Sequence, residues 1–281
     1  MKMDFTKMQG CGNDYIYVNC MDKVLDNPEE VSRRISDRHF GIGSDGLILI
    51  CPSLVADFKM KMYNADGSEG KMCGNGVRCI AKYVYERGLT DKKQISLETE
   101  SGIKYLDLTV EDGKVLLVTV DMGAPVLKPE EIPVTASAGM EDFIDQPVNV
   151  NGKEYRVTCV SMGNPHAVVF VEDTNGLIIE EHGPAFEKHH LFPDSVNTEF
   201  VQVINRSEIN MRVWERGSGE TLACGTGTCA AVVACVLNGK TDNEVTVHLK
   251  GGDLFIKYDK KAGTVFMTGP AVTVFDGCIV I

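Results

Sequence analysis

Apolar and polar residues alternate with a period of two along most of this chain, the spacing of strands that bury one face. The pattern predicts strands at Tyr15–Asn19, Leu47–Ile50, Asp57–Tyr63, Gln94–Thr99, Lys104–Val110, Val115–Asp121 and Tyr155–Val160. It predicts further strands at Ala167–Val171, Thr198–Ile204, Glu208–Val213, Thr246–Leu249, Asp253–Lys257, Thr264–Met267 and Val272–Phe275. Asp112-Gly113, Asn151-Gly152 and Ala262-Gly263 separate consecutive runs as hairpin turns, so the sheet is expected to be mostly antiparallel. Helices are expected at Pro28–Asp37, Gly76–Glu86, around Pro184–His189 and at Gly227–Leu237. The second and fourth are rich in Ala, Val and Ile with few charges, which suits a helix enclosed by sheet.

Those two helices begin at matching sequences, Met72-Cys73-Gly74-Asn75-Gly76 and Ala223-Cys224-Gly225-Thr226-Gly227, with the cysteines 224 − 73 = 151 positions apart. The same offset carries Gly12-Asn13 onto Gly163-Asn164, Gly46 onto Asn197, Tyr63 onto Trp214 and Asn64 onto Glu215. A duplicated half is the simplest origin. The expected fold is α/β of the α+β kind, with two pseudo-symmetric lobes, each a curled, mostly antiparallel sheet or barrel around a central helix. Residues 1–124 form the first lobe, joined by a returning segment 270–281, and 125–269 the second. The crossing falls in Gly123–Pro147, which holds four prolines.

A length of 281 residues suits two such lobes, and 43% hydrophobic with 24% charged residues suits a folded interior. The formal charge of −12 argues against sequence-independent binding to nucleic acid or to anionic membranes. No apolar run reaches a membrane span and the first residues lack a signal peptide's apolar core, so a cytoplasmic protein is expected. Ten cysteines without CxxC pairs fit reduced thiols better than a disulfide framework or a metal site. Cys20, Cys51, Cys159, Cys235 and Cys278 sit among apolar neighbours and are expected to be small core residues.

Cys73 and Cys224 are different, because each heads a helix. There unpaired N–H groups and the helix dipole favour a thiolate, and the backbones of Gly74, Asn75, Gly225 and Thr226 are suited to hold a carboxylate. Two thiols on opposite faces of a bound carbon acid invert it without redox change, one removing the proton and the other returning one. Asn13, Asn64, Asn164, Asn197, Glu215 and Arg216 are the candidates to orient such a substrate. Arg216 suits a carboxylate and Glu215 an ammonium. A lone asparagine is commonly a turn residue, but Asn13 and Asn164 share one repeat position. His166 either tunes a cysteine or caps a strand. Gly41-Ile42-Gly43-Ser44-Asp45-Gly46 fits the GxGxxG pattern but precedes a strand, so dinucleotide binding is not expected.

As a set, several motifs closely resemble diaminopimelate epimerase. They are Gly12-Asn13-Asp14, Asn64-Ala65-Asp66-Gly67-Ser68, the Cys73 loop through Arg78, Gly163-Asn164-Pro165-His166, Val196-Asn197, and Trp214-Glu215-Arg216-Gly217 running into the Cys224 loop. Gly269-Pro270-Ala271 and Phe275-Asp276-Gly277 match as well, so the resemblance spans essentially the whole chain. It implies an enzyme without pyridoxal phosphate or metal that interconverts LL- and meso-diaminopimelate in lysine and peptidoglycan-precursor synthesis. By the same resemblance Cys73 and Cys224 are the two acid/base groups, and Asn13, Asn64, Asn164, Asn197, Glu215 and Arg216 contact substrate. The backbones of Gly74, Asn75, Gly225 and Thr226 hold the reacting carboxylate, and His166 with Glu215 modulates cysteine acidity. Some members carry a glutamine where Gly46 stands, and that contact is not carried over. Members are often homodimers with an aromatic near the C-terminus at the interface, the place of Phe275. Two other readings stay open: a related cofactor-independent racemase acting on another amino acid such as proline, and a non-enzymatic protein that binds metal or cycles a Cys73–Cys224 disulfide.

Overall fold

The computed structural model describes residues 2–137 and 139–281. The chain divides into two compact units, one of Met1–Asp121 with Thr268–Ile281, the other of Met122–Met267. The first unit holds β1 (Lys2–Gly10), β2 (Asn13–Asn19), α1 (Pro28–Ser36), β3 (Gly46–Cys51), β4 (Phe58–Asn64) and β5 (Glu69–Gly70). Then follow α2 (Gly74–Glu86), β6 (Gln94–Thr99), β7 (Gly102–Glu111) and most of β8 (Lys114–Gly123). The second holds β9 (Gln146–Val150), β10 (Lys153–Ser161), β11 (Pro165–Phe170), α3 (Ile179–Glu187), β12 (Asn197–Asn205), β13 (Glu208–Glu215) and β14 (Gly219–Thr221). It continues with α4 (Gly225–Leu237), β15 (Glu244–Leu249), β16 (Gly252–Asp259) and most of β17 (Thr264–Gly269), and β18 (Val272–Val280) closes the chain in the first unit.

The two units repeat one pairing scheme. In the first, β1–β2, β3–β4, β4–β5, β6–β7 and β7–β8 are antiparallel, while β2–β3 and β4–β6 are parallel. In the second, β10–β11, β12–β13, β13–β14 and β15–β16 are antiparallel, while β11–β12 and β13–β15 are parallel. Helix starts obey the offset of the cysteine loops, with 179 − 28 = 151 for α1 and α3 and 225 − 74 = 151 for α2 and α4. Beyond the second helix it drops to 244 − 94 = 150 at β6 and β15, because the α4–β15 connection is one residue shorter than the α2–β6 connection. The free side of the first strand is completed from outside the repeat, by β18 against β1 and by β9 against β10.

Burial explains the helices. α4 buries eleven of its thirteen residues and α2 nine, including Val77, Ile80 and Val84. Each such aliphatic side chain contributes about 1.5–3 kcal/mol when fully buried. The surprise in α2 is Arg78, fully buried with its guanidinium on Pro270 O, Gly74 O and Asn75 Oδ1. It ties the start of the helix to the returning C-terminal segment.

Three elements differ from the sequence expectations. β1 breaks the period of two because its two faces are buried in turn, Met3 and Phe5 on one face and Thr6, Met8 and Gly10 on the other; the bulge beside Lys7/Met8 puts its extra residue, Val274, on β18. β9, not among the expected strands, starts at the end of the stretch expected to hold the crossing. α3 starts five residues before Pro184, which lies inside it and removes one helical hydrogen bond. Among the cysteines, Cys20, Cys159 and Cys235 are buried, whereas Cys278 is exposed because β18 is open along nearly its whole length.

Candidate functional site

In the first unit, Cys73 ends the short connection from β5 in extended conformation and caps α2, its Sγ accepting the Gly76 N–H at 3.4 Å. Such a cap needs the close approach that Gly76 allows: a Cβ there would stand 2.8 Å from the Ile48 side chain. The Cys73 thiol donates to Asn13 Oδ1 at 3.1 Å, and Asn13 Nδ2 donates to Asp45 Oδ2 at 2.7 Å. Behind Asp45 stands an ion cluster. Arg38 bridges Asp14 (2.8 Å) and Asp45 (3.0 Å), and Lys7 lies 2.9 Å from Asp14. Burial, then the charge of Asp14, raises the Asp45 carboxyl. Burial also works to raise Asp14, but Arg38 and Lys7 outweigh it and hold that carboxyl low.

In the second unit, Cys224 caps α4 in the same conformation, its Sγ accepting the Gly227 N–H at the same 3.4 Å. What lies around it is acidic. Glu215, at the end of β13, accepts from Thr221 and interacts electrostatically with Cys224. Glu199 points from β12 toward the helix start, so that a Cβ on Gly227 would stand 2.4 Å from its Oε1 and 3.3 Å from Cys224 Sγ. Burial, then the Glu215 and Glu199 carboxylates, pushes the Cys224 thiol well above the ordinary range. Burial likewise raises Glu215, partly offset by Thr221 and Cys224. The expectation that both helix-capping thiols are acidified therefore fails at Cys224, because desolvation and two nearby carboxylates outweigh one helix terminus.

The remaining candidates fall into two groups. Asn164 Oδ1 faces His166 Nε2 at 3.0 Å, which joins Asn164 and His166 to the Cys224 surroundings. The backbones of Gly74 and Asn75, and of Gly225 and Thr226, form the first helical turns, where N–H groups lack intrahelical acceptors. Asn197 is buried and works on backbone, with Nδ2 donating to Pro165 O and Oδ1 accepting the Arg216 N–H. Asn64 donates to Ser68 Oγ, and the exposed Arg216 donates to Asp194 O. The strand ends that carry Asn64 and Glu215 are pinned by α1 and α3. Ser32 donates to Asn64 O, while Glu187 accepts from the Trp214 indole and the Gly217 N–H. Gly46 opens β3 where a Cβ would stand 2.1 Å from Tyr63 O, so a glutamine does not fit this backbone. Phe275 is 44% exposed on β18, its ring edge-on to Phe5.

The model of the diaminopimelate epimerase family matches residues 5–128 and 158–274. Diaminopimelate epimerases of Agathobacter rectalis and Acetivibrio thermocellus are 61% and 59% identical to this chain, each alignment covering 98% of both sequences. The chain belongs to the diaminopimelate epimerase family. The same enzyme of Methanococcus maripaludis is 55% identical, over 98% of this chain and 99% of its own. Among solved structures, a PhzF-family phenazine biosynthesis protein of Bacillus anthracis aligns over the whole of both chains with TM-score 0.72 at 17% identity. A hydroxyproline epimerase of Agrobacterium vitis aligns over 99% of this chain and 92% of its own, with TM-score 0.71 at 14% identity. At that identity the likeness is one of fold: two pseudo-symmetric lobes.

Within this family site, sequence reasoning missed Glu199 and Asp45. Glu199 is hidden in a strand, Asn197-Thr198-Glu199-Phe200-Val201, that is buried on both faces. The offset of 151 offers the signal, since it sets Glu199 against Ile48 in the apolar strand Gly46-Leu47-Ile48-Leu49-Ile50. An acid where the repeat partner is aliphatic marks a buried charge with a purpose. Asp45 was absorbed into the dismissed glycine pattern.

Proposed function

We propose that this chain interconverts LL- and meso-2,6-diaminopimelate by passing an α-proton between Cys73 and Cys224 without a cofactor, a step of lysine and peptidoglycan-precursor synthesis in the cytoplasm. The observation that carries the reading is the pair of cysteines capping repeat-related helices with the same sulfur-to-N–H distance of 3.4 Å, in a member of this family. The chemistry follows from general acid–base catalysis. A thiolate removes the α-proton from one face, the charge spreads onto the carboxylate, and a thiol donates its proton to the other face. The acceptor thus leaves as a thiol and the donor as a thiolate. Exchange with solvent resets the pair.

The surroundings favour unequal starting states. Cys224, pushed up by burial, Glu215 and Glu199, is the donor at rest. Cys73 is half-buried, has Asn64 and Ile48 at the repeat positions of those two acids, and donates its proton to Asn13 Oδ1, so it must give up that proton before it acts as the base. The first-turn N–H groups of Gly74, Asn75, Gly225 and Thr226 receive the reacting carboxylate, and Asn64, Asn164 and Arg216 serve the rest of the substrate, while Asn13, expected to touch substrate, holds Cys73 by its oxygen. Asn197 acts through the Arg216 backbone. A second copy covering Val272, Val274 and Phe275 on β18 makes the working form a homodimer.

The test is epimerisation in deuterated water. LL-Diaminopimelate is expected to give meso product carrying one solvent deuterium at the inverted carbon. Absence of exchange with this substrate, together with exchange into proline, would move the assignment to the proline-type racemase.

A further inference from the structure

The two-thiol scheme leaves unused a buried acid–base pair beneath Cys224. His166 and Glu199 are both fully buried, with Nδ1 2.7 Å from Oε1. On its other side the ring sets Nε2 3.0 Å from Asn164 Oδ1. Both ring nitrogens thus face oxygen. An amide oxygen brings no hydrogen, so Nε2 carries one, and a second proton lies between Nδ1 and the carboxylate. A neutral imidazole has a single N–H, so the pair holds one proton more than a neutral histidine beside a carboxylate. Glu199 Oε2 is buried without a hydrogen-bond partner among the described residues, so the contact with His166 at Oε1 is the one the carboxylate has there to offset its charge. The other titratable groups facing Glu199 are Glu215, Cys224 and Cys159; burial first, then Glu199, raises the Cys159 thiol as well.

We propose that Glu199 is a positioning residue for the epimerisation: paired with His166, it fixes the imidazole as a donor at both nitrogens, and the ring in turn holds Asn164 by its oxygen. The Asn164 Nδ2 group, which has no protein acceptor among the described residues, is then presented as a donor to a substrate carboxylate. The repeat-related asparagine is turned the opposite way. Asp45 can only accept, so it takes the Asn13 Nδ2 end and directs the Asn13 oxygen at Cys73. One amide thus serves a thiol and the other a ligand, and Glu199 sets the difference through His166.

This inference rests on the epimerase reading, and the experiment separates the two. In substrate-free enzyme, nitrogen NMR of the His166 ring, assigned by its loss in His166→Gln, is expected to show both nitrogens protonated at neutral pH. In Glu199→Gln one ring nitrogen is expected to lose its proton, and kcat/KM for diaminopimelate to fall about tenfold to a hundredfold, chiefly through KM. Should Glu199→Gln fail to fold, the wild-type spectrum still decides. A neutral His166 ring in an active enzyme overturns the positioning role alone. A doubly protonated ring in an enzyme inert toward diaminopimelate overturns the reaction and leaves the pair standing.

Discussion

Cys73 and Cys224 occupy the same place in two copies of one fold, with the same cap geometry and the same glycine one turn on. Beneath Cys73 the space is filled by Ile48 and Met60, whose side chains crowd Gly76; beneath Cys224 it is filled by the Glu199 carboxylate crowding Gly227. Beside them Asn64 stands in one copy and Glu215 in the other. An asparagine and an isoleucine leave a thiol to the helix terminus, whereas two carboxylates in a desolvated site hold it protonated. A duplicated scaffold thus gives its two thiols unlike surroundings by changing neighbours and leaving the backbone alone. The ion cluster is as one-sided: Asp14, Arg38 and Asp45 have Pro165, His189 and Val196 at the offset positions.

Making the halves alike is the sharpest way to break this contrast. Ile48→Glu places an acid under Cys73 with Tyr15 where the second copy has His166, so the charge is buried without its partner. A loss of about 3–5 kcal/mol is expected, read as a fall in Tm of roughly 10 °C; a stable variant would show that the first half tolerates acids as the second does. Gly46→Gln is expected to cost about 1–3 kcal/mol because its Cβ collides with the Tyr63 backbone carbonyl. Denaturant titration checks it, and a midpoint equal to the parent's would mean that the β3–β4 edge yields freely.

Thiol labelling followed by mass spectrometry gives a smaller but more pointed effect. The pH profile for Cys224 is expected to lie well above that of an ordinary thiol and above that of Cys73. Glu215→Gln should move it down, since a neighbouring like charge is removed. The smallest effect concerns Asp14, whose carboxyl is held low by Arg38 and Lys7. A depressed carboxyl adds stability that is complete above its unfolded value near pH 4 and fades as pH falls through the folded value. The Tm difference between parent and Asp14→Asn should therefore be full at pH 6 and shrink below pH 4; a constant difference contradicts the ion cluster's role.

Much of this was legible before any coordinates. The repeated cysteine loops and the apolar helices after them follow directly from spacing and composition, because caps and buried helices are local features. The offset of 151 relates α1 to α3 as well, but the residue pattern points to a helix only around Pro184, five residues past the start of α3. Less legible were β1, whose two faces are buried in turn, and the parallel pairings β2–β3 and β4–β6, which join residues distant in sequence. Glu199 and Asp45 escaped because their roles depend on what packs against them in three dimensions. For the same reason Cys224 was expected to be acidic, since a helix start is visible in sequence and two carboxylates converging on it are not.

Whether the two halves form one two-base machine is decided by the single-cysteine variants in deuterated water. Cys73→Ala and Cys224→Ala are each expected to lose inversion entirely, one exchanging solvent deuterium only into LL-diaminopimelate and the other only into the meso isomer, with retained configuration. Inversion persisting in either variant would contradict the scheme of two opposed thiols.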